Sequence, residues 1–91
     1  MTITKVIIRK LFDGPKIKGI ASIIVDDEFT IHDIKIIEGV ERLFCAMPNR
    51  HSEDGRYQDI VHPISQEARQ KIEEAILEEY YSAIHQEATA S

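Results

Sequence analysis

The sequence has little from which disulfides or a membrane span could be built. Its 91 residues include a single cysteine, Cys45, which excludes an internal disulfide and favours a reducing compartment. No stretch approaches the ~18 consecutive apolar residues of a transmembrane helix, and no signal peptide opens the chain. We therefore expect a cytoplasmic protein that does not associate with a membrane.

The motifs of the common enzyme classes are absent too. There is no nucleophile elbow, Walker loop or dinucleotide fingerprint. The four histidines lack the spacing of zinc ligands. His32 is predicted to form a hydrogen bond at a strand irregularity, and Cys45 to be a packed, unreactive thiol. The sequence therefore predicts no enzyme, cofactor, metal site or small-molecule substrate.

What is present is typical of one small globular domain. The composition is 43% apolar and 30% charged, and a chain of this length buries roughly 60–68% of its unfolded surface, enough for one core. We predict a single domain over residues 1–84 and a polar, disordered tail over residues 85–91.

The net charge of −5 is unevenly distributed along the chain. Residues 1–58 contain 9 Lys and Arg against 9 Asp and Glu, whereas residues 59–91 contain 2 against 7. Polyanion binding depends on local patches more than on net charge. Because positive and negative charges are equal in number over residues 1–58, the net charge of the chain does not exclude nucleic-acid binding by that part.

Alternating apolar residues predict a small antiparallel sheet of four to five strands followed by a C-terminal helix, an α+β fold. In the third strand the apolar positions change parity after Ile31, which predicts a β-bulge at His32-Asp33. Asp26-Asp27 predicts a tight turn before that strand. The expected strands are Thr2–Phe12, Gly19–Val25, Glu28–Ile37, Leu43–Met47 and a short fifth strand over Tyr57–His62.

The helix is predicted to begin after Ser65, whose hydroxyl can accept hydrogen bonds from the first turn, with Glu67 at the positive end of the helix dipole. A second apolar flank exceeds what contact with one sheet requires, so we expect it to meet another subunit in a homodimer. The main buried stripe consists of Ala68, Ile72, Ala75, Ile76, Tyr80 and Ala83, and the flank of Leu77, Tyr81 and Ile84.

The segment Met47–Gln58 is predicted to be a long polar loop without secondary structure, and such loops are often functional. It carries Asn49, Arg50, His51 and Arg56, which can contact phosphate oxygens; the planar guanidinium of arginine donates hydrogen bonds in pairs. The alternative is a solvated loop with local ion pairs, because two carboxylates lie between the arginines.

Two other groups of basic residues accompany the loop. The helix start contributes Arg69 and Lys71, close to where the loop returns. Two-fold symmetry would duplicate each patch and could bring them onto one surface. The remaining group surrounds the first turn and consists of Lys5, Arg9, Lys10, Lys16 and Lys18.

From Thr2 to Tyr80 the sequence resembles the SpoVG family of bacterial septation and sporulation regulators. The blocks around the Met-Pro pair and before the helix are the most specific. The segments that carry the resemblance are Ile20-Ala21-Ser22-Ile23, Phe29-Thr30-Ile31-His32-Asp33-Ile34-Lys35, Phe44-Cys45-Ala46-Met47-Pro48-Asn49-Arg50, Asp59-Ile60-Val61-His62-Pro63-Ile64 and Glu79-Tyr80.

The resemblance implies a dimeric α+β protein with a role in septum formation, and in sporulation where the host sporulates. It also implies binding of DNA, and in some members RNA, through basic loop and helix residues. Arg50 matches a basic position of the family. His51 and Gln58 stand where a basic residue is usual, and Arg56 stands where an acidic one is common.

Two hypotheses follow. In the first, the protein is a homodimeric, non-enzymatic regulator that binds nucleic acid. In the second, it is a protein-interaction module of the division machinery that docks a partner on the apolar helix flank and acidic face, without nucleic acid. The residues that the first hypothesis assigns to the nucleic-acid site are Asn49, Arg50, His51, Arg56, Arg69 and Lys71.

Overall fold

The computed structural model describes residues 1–89, with side chains through His85. It contains a four-stranded antiparallel sheet in the order β1-β2-β3-β4, a separate two-stranded hairpin of β5 and β6, and one long helix. The predicted α+β class is confirmed. The elements are β1 Ile3–Leu11, β2 Ile17–Val25, β3 Phe29–Glu38, β4 Leu43–Ala46, β5 Asn49–His51, β6 Tyr57–Asp59 and α1 Gln66–Thr89.

The predicted bulge in β3 is confirmed. The register between β2 and β3 shifts by one residue between Ile31 and Ile34, so His32 and Asp33 lie opposite Ser22 alone. Asp33 adopts a φ of 61°, a left-handed conformation that aspartate tolerates better than most residues. The inserted residue allows Ile34 to be fully buried while Ile31 packs against the same core.

The β2–β3 connection is the tight turn that Asp26-Asp27 predicts. Both residues have positive φ, 54° and 56°, as the central positions of a type I′ turn require. The Glu28 N–H donates to the Val25 carbonyl at 3.0 Å and closes the turn.

One face of the main sheet packs against α1 and forms the core. Ser65 Oγ accepts a hydrogen bond from the Ala68 N–H at 3.1 Å, which confirms the predicted N-terminal cap. The predicted helix stripe supplies three of the buried side chains. The core consists of Ala21, Ile23, Val25, Ile34, Ile36, Cys45, Met47, Ile72, Ile76 and Tyr80.

The second apolar flank of the helix is largely used within the chain. Leu77 and Ile84 pack against the core, and Tyr81 remains 53% exposed with its ring 5.6 Å from that of Tyr80. The flank therefore leaves a single aromatic side chain, and not a continuous stripe, for contact with another subunit.

The prediction of a loop without secondary structure over Met47–Gln58 is wrong, because this segment forms the β5–β6 hairpin. Strands of three mostly polar residues have no apolar alternation to reveal them. The short strand predicted for Tyr57–His62 is β6, which covers only Tyr57–Asp59 and pairs with β5 and not with the main sheet.

The C-terminal helix extends beyond the predicted domain boundary. It continues to Thr89 and so enters the segment 85–91 that is predicted to be a disordered tail. The segment Gln86–Ala88 contains good helix formers and neither glycine nor proline, which explains the extension. The rest of the predicted tail, Ala90 and Ser91, lies outside the described residues, and the domain division itself stays a prediction.

Candidate nucleic-acid interface

The β5–β6 hairpin carries four of the six predicted site residues. Arg50 pairs with Gln58 and His51 with Tyr57, and a turn at Gly55, with a φ of 87°, connects the strands. The His51 ring lies 4.8 Å from the Tyr57 ring at an interplanar angle of 52°. Because alternate residues face opposite sides, the Arg50 side chain lies on the other face of the hairpin from this ring pair.

Arg50 is the most available cation of the hairpin. It is exposed, and its guanidinium forms no ion pair among the described residues. Asn49 is half-buried, and its amide donates to the Met47 carbonyl at 3.3 Å. Arg50 and His51 can therefore reach a ligand, while Asn49 helps to hold the base of the hairpin.

Arg56 is partly neutralised within the hairpin. Its Nε lies 3.6 Å from Asp54 Oδ2. The pKa of Asp54 is lowered, first by the hydrogen bond from the Ser52 hydroxyl and then by the backbone N–H of Arg56, so the carboxylate is charged at neutral pH. Arg50 shares a shallow depression with Asp54 and Glu53. The hairpin thus contains the local ion pair that the alternative interpretation predicts.

The two predicted site residues on α1 contact different partners, and neither partner belongs to the hairpin. Arg69 Nη1 is 3.7 Å from Glu73 Oε1. Lys71 Nζ donates to the Met1 carbonyl at 3.1 Å, beside the start of β1. No hydrogen bond or ion pair joins either residue to the hairpin in the part of the chain described. Within one chain, Arg69 and Lys71 are therefore held by partners outside the hairpin.

Glu73 is an important residue that the sequence interpretation missed. It is buried, and Arg42 Nη1 donates to its Oε2 at 2.9 Å while Arg69 approaches the other oxygen. Arg42 belongs to the β3–β4 turn, so the contact joins that turn to the helix. The available signal was the i,i+4 spacing of Arg69 and Glu73 beside the buried Ile72.

Cys45 and His32 have the structural roles predicted for them. Burial of Cys45 raises the pKa of its thiol to about 12, with a further contribution from the negative charge of Glu73. The thiol is therefore protonated and unreactive. His32 Nδ1 is hydrogen-bonded to Ser22 Oγ at 2.9 Å at the bulge. Across the described residues, no three His, Cys, Asp or Glu side chains come together as metal ligands would.

The fold and site define a small α+β domain with an exposed hairpin that carries two arginines and a long acidic helix. No helix in the described residues is long and apolar enough to cross a membrane. The chain matches the SpoVG family model over residues 1–82, so it belongs to the SpoVG family, as the sequence resemblance predicts.

Relatives from several bacteria are similar over nearly their whole lengths. The "Putative septation protein SpoVG" of Clostridium beijerinckii is 54% identical over 87 residues, 96% of each chain. The protein of the same name from Lachnospira eligens is 49% identical over 83 residues, 91% of this chain and 94% of the relative. That of Thermoanaerobacter sp. (strain X514) is 49% identical over 88 residues, 97% of this chain and 96% of the relative. These names describe septation proteins and name no enzyme.

Proposed function

We propose that the protein is a non-enzymatic, homodimeric, cytoplasmic regulator of septation that binds DNA, and RNA as a second ligand. Membership of the SpoVG family and the septation names of its relatives support the cellular role. The observation that carries nucleic-acid binding is the exposed hairpin with its unpaired Arg50.

The shape of the hairpin suits contact with a duplex. A two-stranded β-ribbon fits the DNA major groove, and arginine can donate two hydrogen bonds to a phosphate or to guanine. Arg50 is the leading contact, and His51 lies next to it on the same strand. Arg56 contributes once a phosphate competes with Asp54, which holds it at 3.6 Å. In a dimer, Arg69 and Lys71 of each copy would extend the surface.

Fluorescence anisotropy with a labelled DNA duplex tests this proposal. Each phosphate contact to a duplex adds about −0.9 to the slope of log affinity against log salt concentration, so the loss of one contact lowers the affinity about 8-fold at ~0.1 M salt. Arg50→Gln/Arg56→Gln should therefore weaken binding by at least that factor. Asp54→Asn, which releases Arg56, should strengthen it. Unchanged affinity of the double variant would show that the hairpin is not the site.

The homodimer is proposed from exposed apolar side chains that follow the hairpin. Ile60 and Ile64 are 67% and 94% exposed, and Val61 between them in sequence is 37% exposed; clustered exposed apolar side chains commonly mark an interface. Sedimentation equilibrium should give twice the 10.4 kDa chain mass. Ile60→Glu/Ile64→Glu should reduce it to the single-chain mass, whereas a monomeric wild type would contradict the proposal.

The same apolar residues favour the second candidate, a module that binds a protein of the division machinery without nucleic acid. Tyr57 is 74% exposed and extends the apolar segment onto the hairpin. The ion pairs of Arg56 and Arg69 also fit this candidate, because they reduce the positive charge available to phosphate. A wild type that fails to bind any oligonucleotide at low salt would favour it.

A further inference from the structure

The face of the main sheet that points away from α1, here called the open face, has a distinct set of polar side chains. Ser22 lies between the core residues Ala21 and Ile23, so strand alternation directs it away from the helix. Its hydroxyl is hydrogen-bonded to Arg9 Nε at 3.2 Å and to His32 Nδ1 at 2.9 Å. Arg9 and His32 therefore lie on the open face as well.

The strand register places three lysines on the same face. Lys10 of β1 and Lys35 of β3 both pair with Ile20, and Lys5 pairs with Ile24. Paired residues share a face, and both isoleucines have the parity of Ser22. Since strands lie about 4.8 Å apart, the Cα atoms of Lys10 and Lys35 are separated by roughly 10 Å across the central strand.

A register shift in β1 brings two consecutive cations to this face. Ile8 pairs with the core residue Ala21, and the next pair joins Lys10 to Ile20, so Arg9 is an inserted residue. Bulges commonly redirect a side chain in this way. Lys5, Arg9, Lys10 and Lys35 together are called the basic strip.

The basic strip differs from the other cationic residues in its ion pairing. None of its four members forms an ion pair among the described residues, in contrast to Arg56 and Arg69. Lys10 Nζ instead lies 5.2 Å from the centroid of the Phe12 ring. The acidic residues of β3 and of the turn before it, Asp33 at the bulge and Asp26, Asp27 and Glu28 at the turn, form no ion pair with the strip among the described residues.

Half-buried apolar side chains lie between these cations. Ile20 and Ile24 share the parity of Ser22, and Ile7 pairs with Ser22. Ile37 shares the parity of Lys35 in β3 and pairs with Phe44, and no member of the set belongs to the core beneath α1. The open face therefore combines an apolar surface, against which planar rings can pack, with the surrounding cations of the basic strip. Its apolar members are Ile7, Ile20, Ile24, Ile37 and Phe44.

We infer that the open face binds single-stranded nucleic acid, with the basic strip on the phosphates and the apolar residues against the bases. The inference rests on the proposed nucleic-acid-binding function and gives it a second surface. A flat sheet suits unstacked bases, which a duplex keeps in its interior. A second copy of the chain fits this face less well, because isologous packing would bring two basic strips together.

Two double variants of equal net charge separate this surface from the hairpin. Lys10→Gln/Lys35→Gln changes the open face, and Arg50→Gln/Arg56→Gln changes the hairpin. Each is titrated by anisotropy against a labelled single strand of about 12 nucleotides, as DNA and as RNA, and against the matching duplex. Thermal unfolding followed by circular dichroism checks that each variant is folded.

The open-face variant should lose about 25-fold in single-strand affinity at ~0.1 M salt. Each phosphate contact to a single strand adds about −0.7 to the slope of log affinity against log salt concentration, which corresponds to about 5-fold in affinity at that salt. The variant removes two such contacts. The hairpin variant should retain most of its single-strand affinity. Loss confined to the hairpin variant would overturn the inference and leave the proposed function intact, whereas a wild type that binds no oligonucleotide would overturn both.

An NMR titration of the wild-type protein supplies a test that needs no variant. Addition of the single strand should shift the amide resonances of Ile20, Lys35 and Ala46, which lie side by side across the sheet. Shifts confined to Asn49–Asp59 would overturn the inference. The inference would also be overturned if sedimentation showed that Lys10→Gln/Lys35→Gln changes only the oligomeric state, since a second copy of the chain would then cover the open face.

Discussion

The contact between Arg42 and Glu73 predicts an unequal response to removal of its two partners. The Arg42 side chain is 69% exposed, whereas that of Glu73 is 8% exposed, and 2.9 Å separates their charged atoms. A hydrogen bond to a charged group contributes ~1.5–3 kcal/mol net. Because Arg42 is mostly exposed and Arg69 remains near Glu73, we expect Arg42→Ala to cost the lower value, about 1.5 kcal/mol.

Removal of the buried partner should cost less. In Glu73→Leu both arginines can turn to solvent, and a leucine replaces a buried charge, so the free energy of unfolding should stay within ~1 kcal/mol of wild type. Urea and thermal unfolding measure the difference; ~1.5 kcal/mol corresponds to a decrease of about 6–12 °C in the melting temperature of a domain of this size. Arg50→Ala, which removes an exposed and unpaired arginine, is the matched control and should change stability by no more than ~0.5 kcal/mol.

The double variant Arg42→Ala/Glu73→Leu completes the test. With Glu73 absent, loss of Arg42 should cost almost nothing, so the cycle should return a coupling of about 1.5 kcal/mol. If Arg42→Ala were equally costly in both backgrounds, or if Glu73→Leu alone cost more than ~3 kcal/mol, the reasoning about this buried carboxylate would be refuted.

Three further predictions concern single side chains. The Cys45 thiol, whose pKa burial raises to about 12, should resist a thiol reagent at pH 8 until urea unfolds the protein; rapid labelling of the folded state would contradict this. Ser65→Ala should cost ~1 kcal/mol through loss of the helix cap, and Ser82→Ala within the helix should cost nothing; equal effects would argue against the cap. By NMR, the pKa of Asp54 should lie below its ordinary value and should rise in Ser52→Ala; an unchanged pKa in that variant would refute the hydrogen-bond cause. Because the pKa is lowered in the folded state, the contribution of this carboxylate to stability is present at neutral pH and is lost as the pH falls through the folded pKa.

Structural features that depend on a few consecutive residues were predictable from the sequence. The change of apolar parity after Ile31 revealed the bulge, Asp26-Asp27 revealed the turn, and Ser65 revealed the start of the helix. Each signal arises because a local conformation needs particular residue types at adjacent positions. The β5–β6 hairpin has only the turn dipeptide Asp54-Gly55 as a local signal, because its short polar strands show no apolar alternation on either side of that turn.

The arrangement of charge was less predictable, because it depends on which strands become neighbours. The sequence groups Lys10 with Lys18 around the first turn, yet Lys18 forms an ion pair with Glu38 at 3.3 Å. Lys10 instead shares a face with Lys35, which is distant in sequence. The inserted Arg9 alters the parity of β1, so alternation counted from the sequence alone assigns faces incorrectly beyond it.

The most direct test of nucleic-acid binding by this acidic chain is the salt dependence of wild-type affinity for a single strand. Four phosphate contacts from Lys5, Arg9, Lys10 and Lys35 at about −0.7 each predict a slope of log K against log salt of about −3. Between ~0.05 and ~0.5 M salt, where screening becomes strong, the affinity should therefore fall by about a thousandfold. Affinity that stayed constant over this range would contradict the account, because cations in contact with phosphate could not then be its cause.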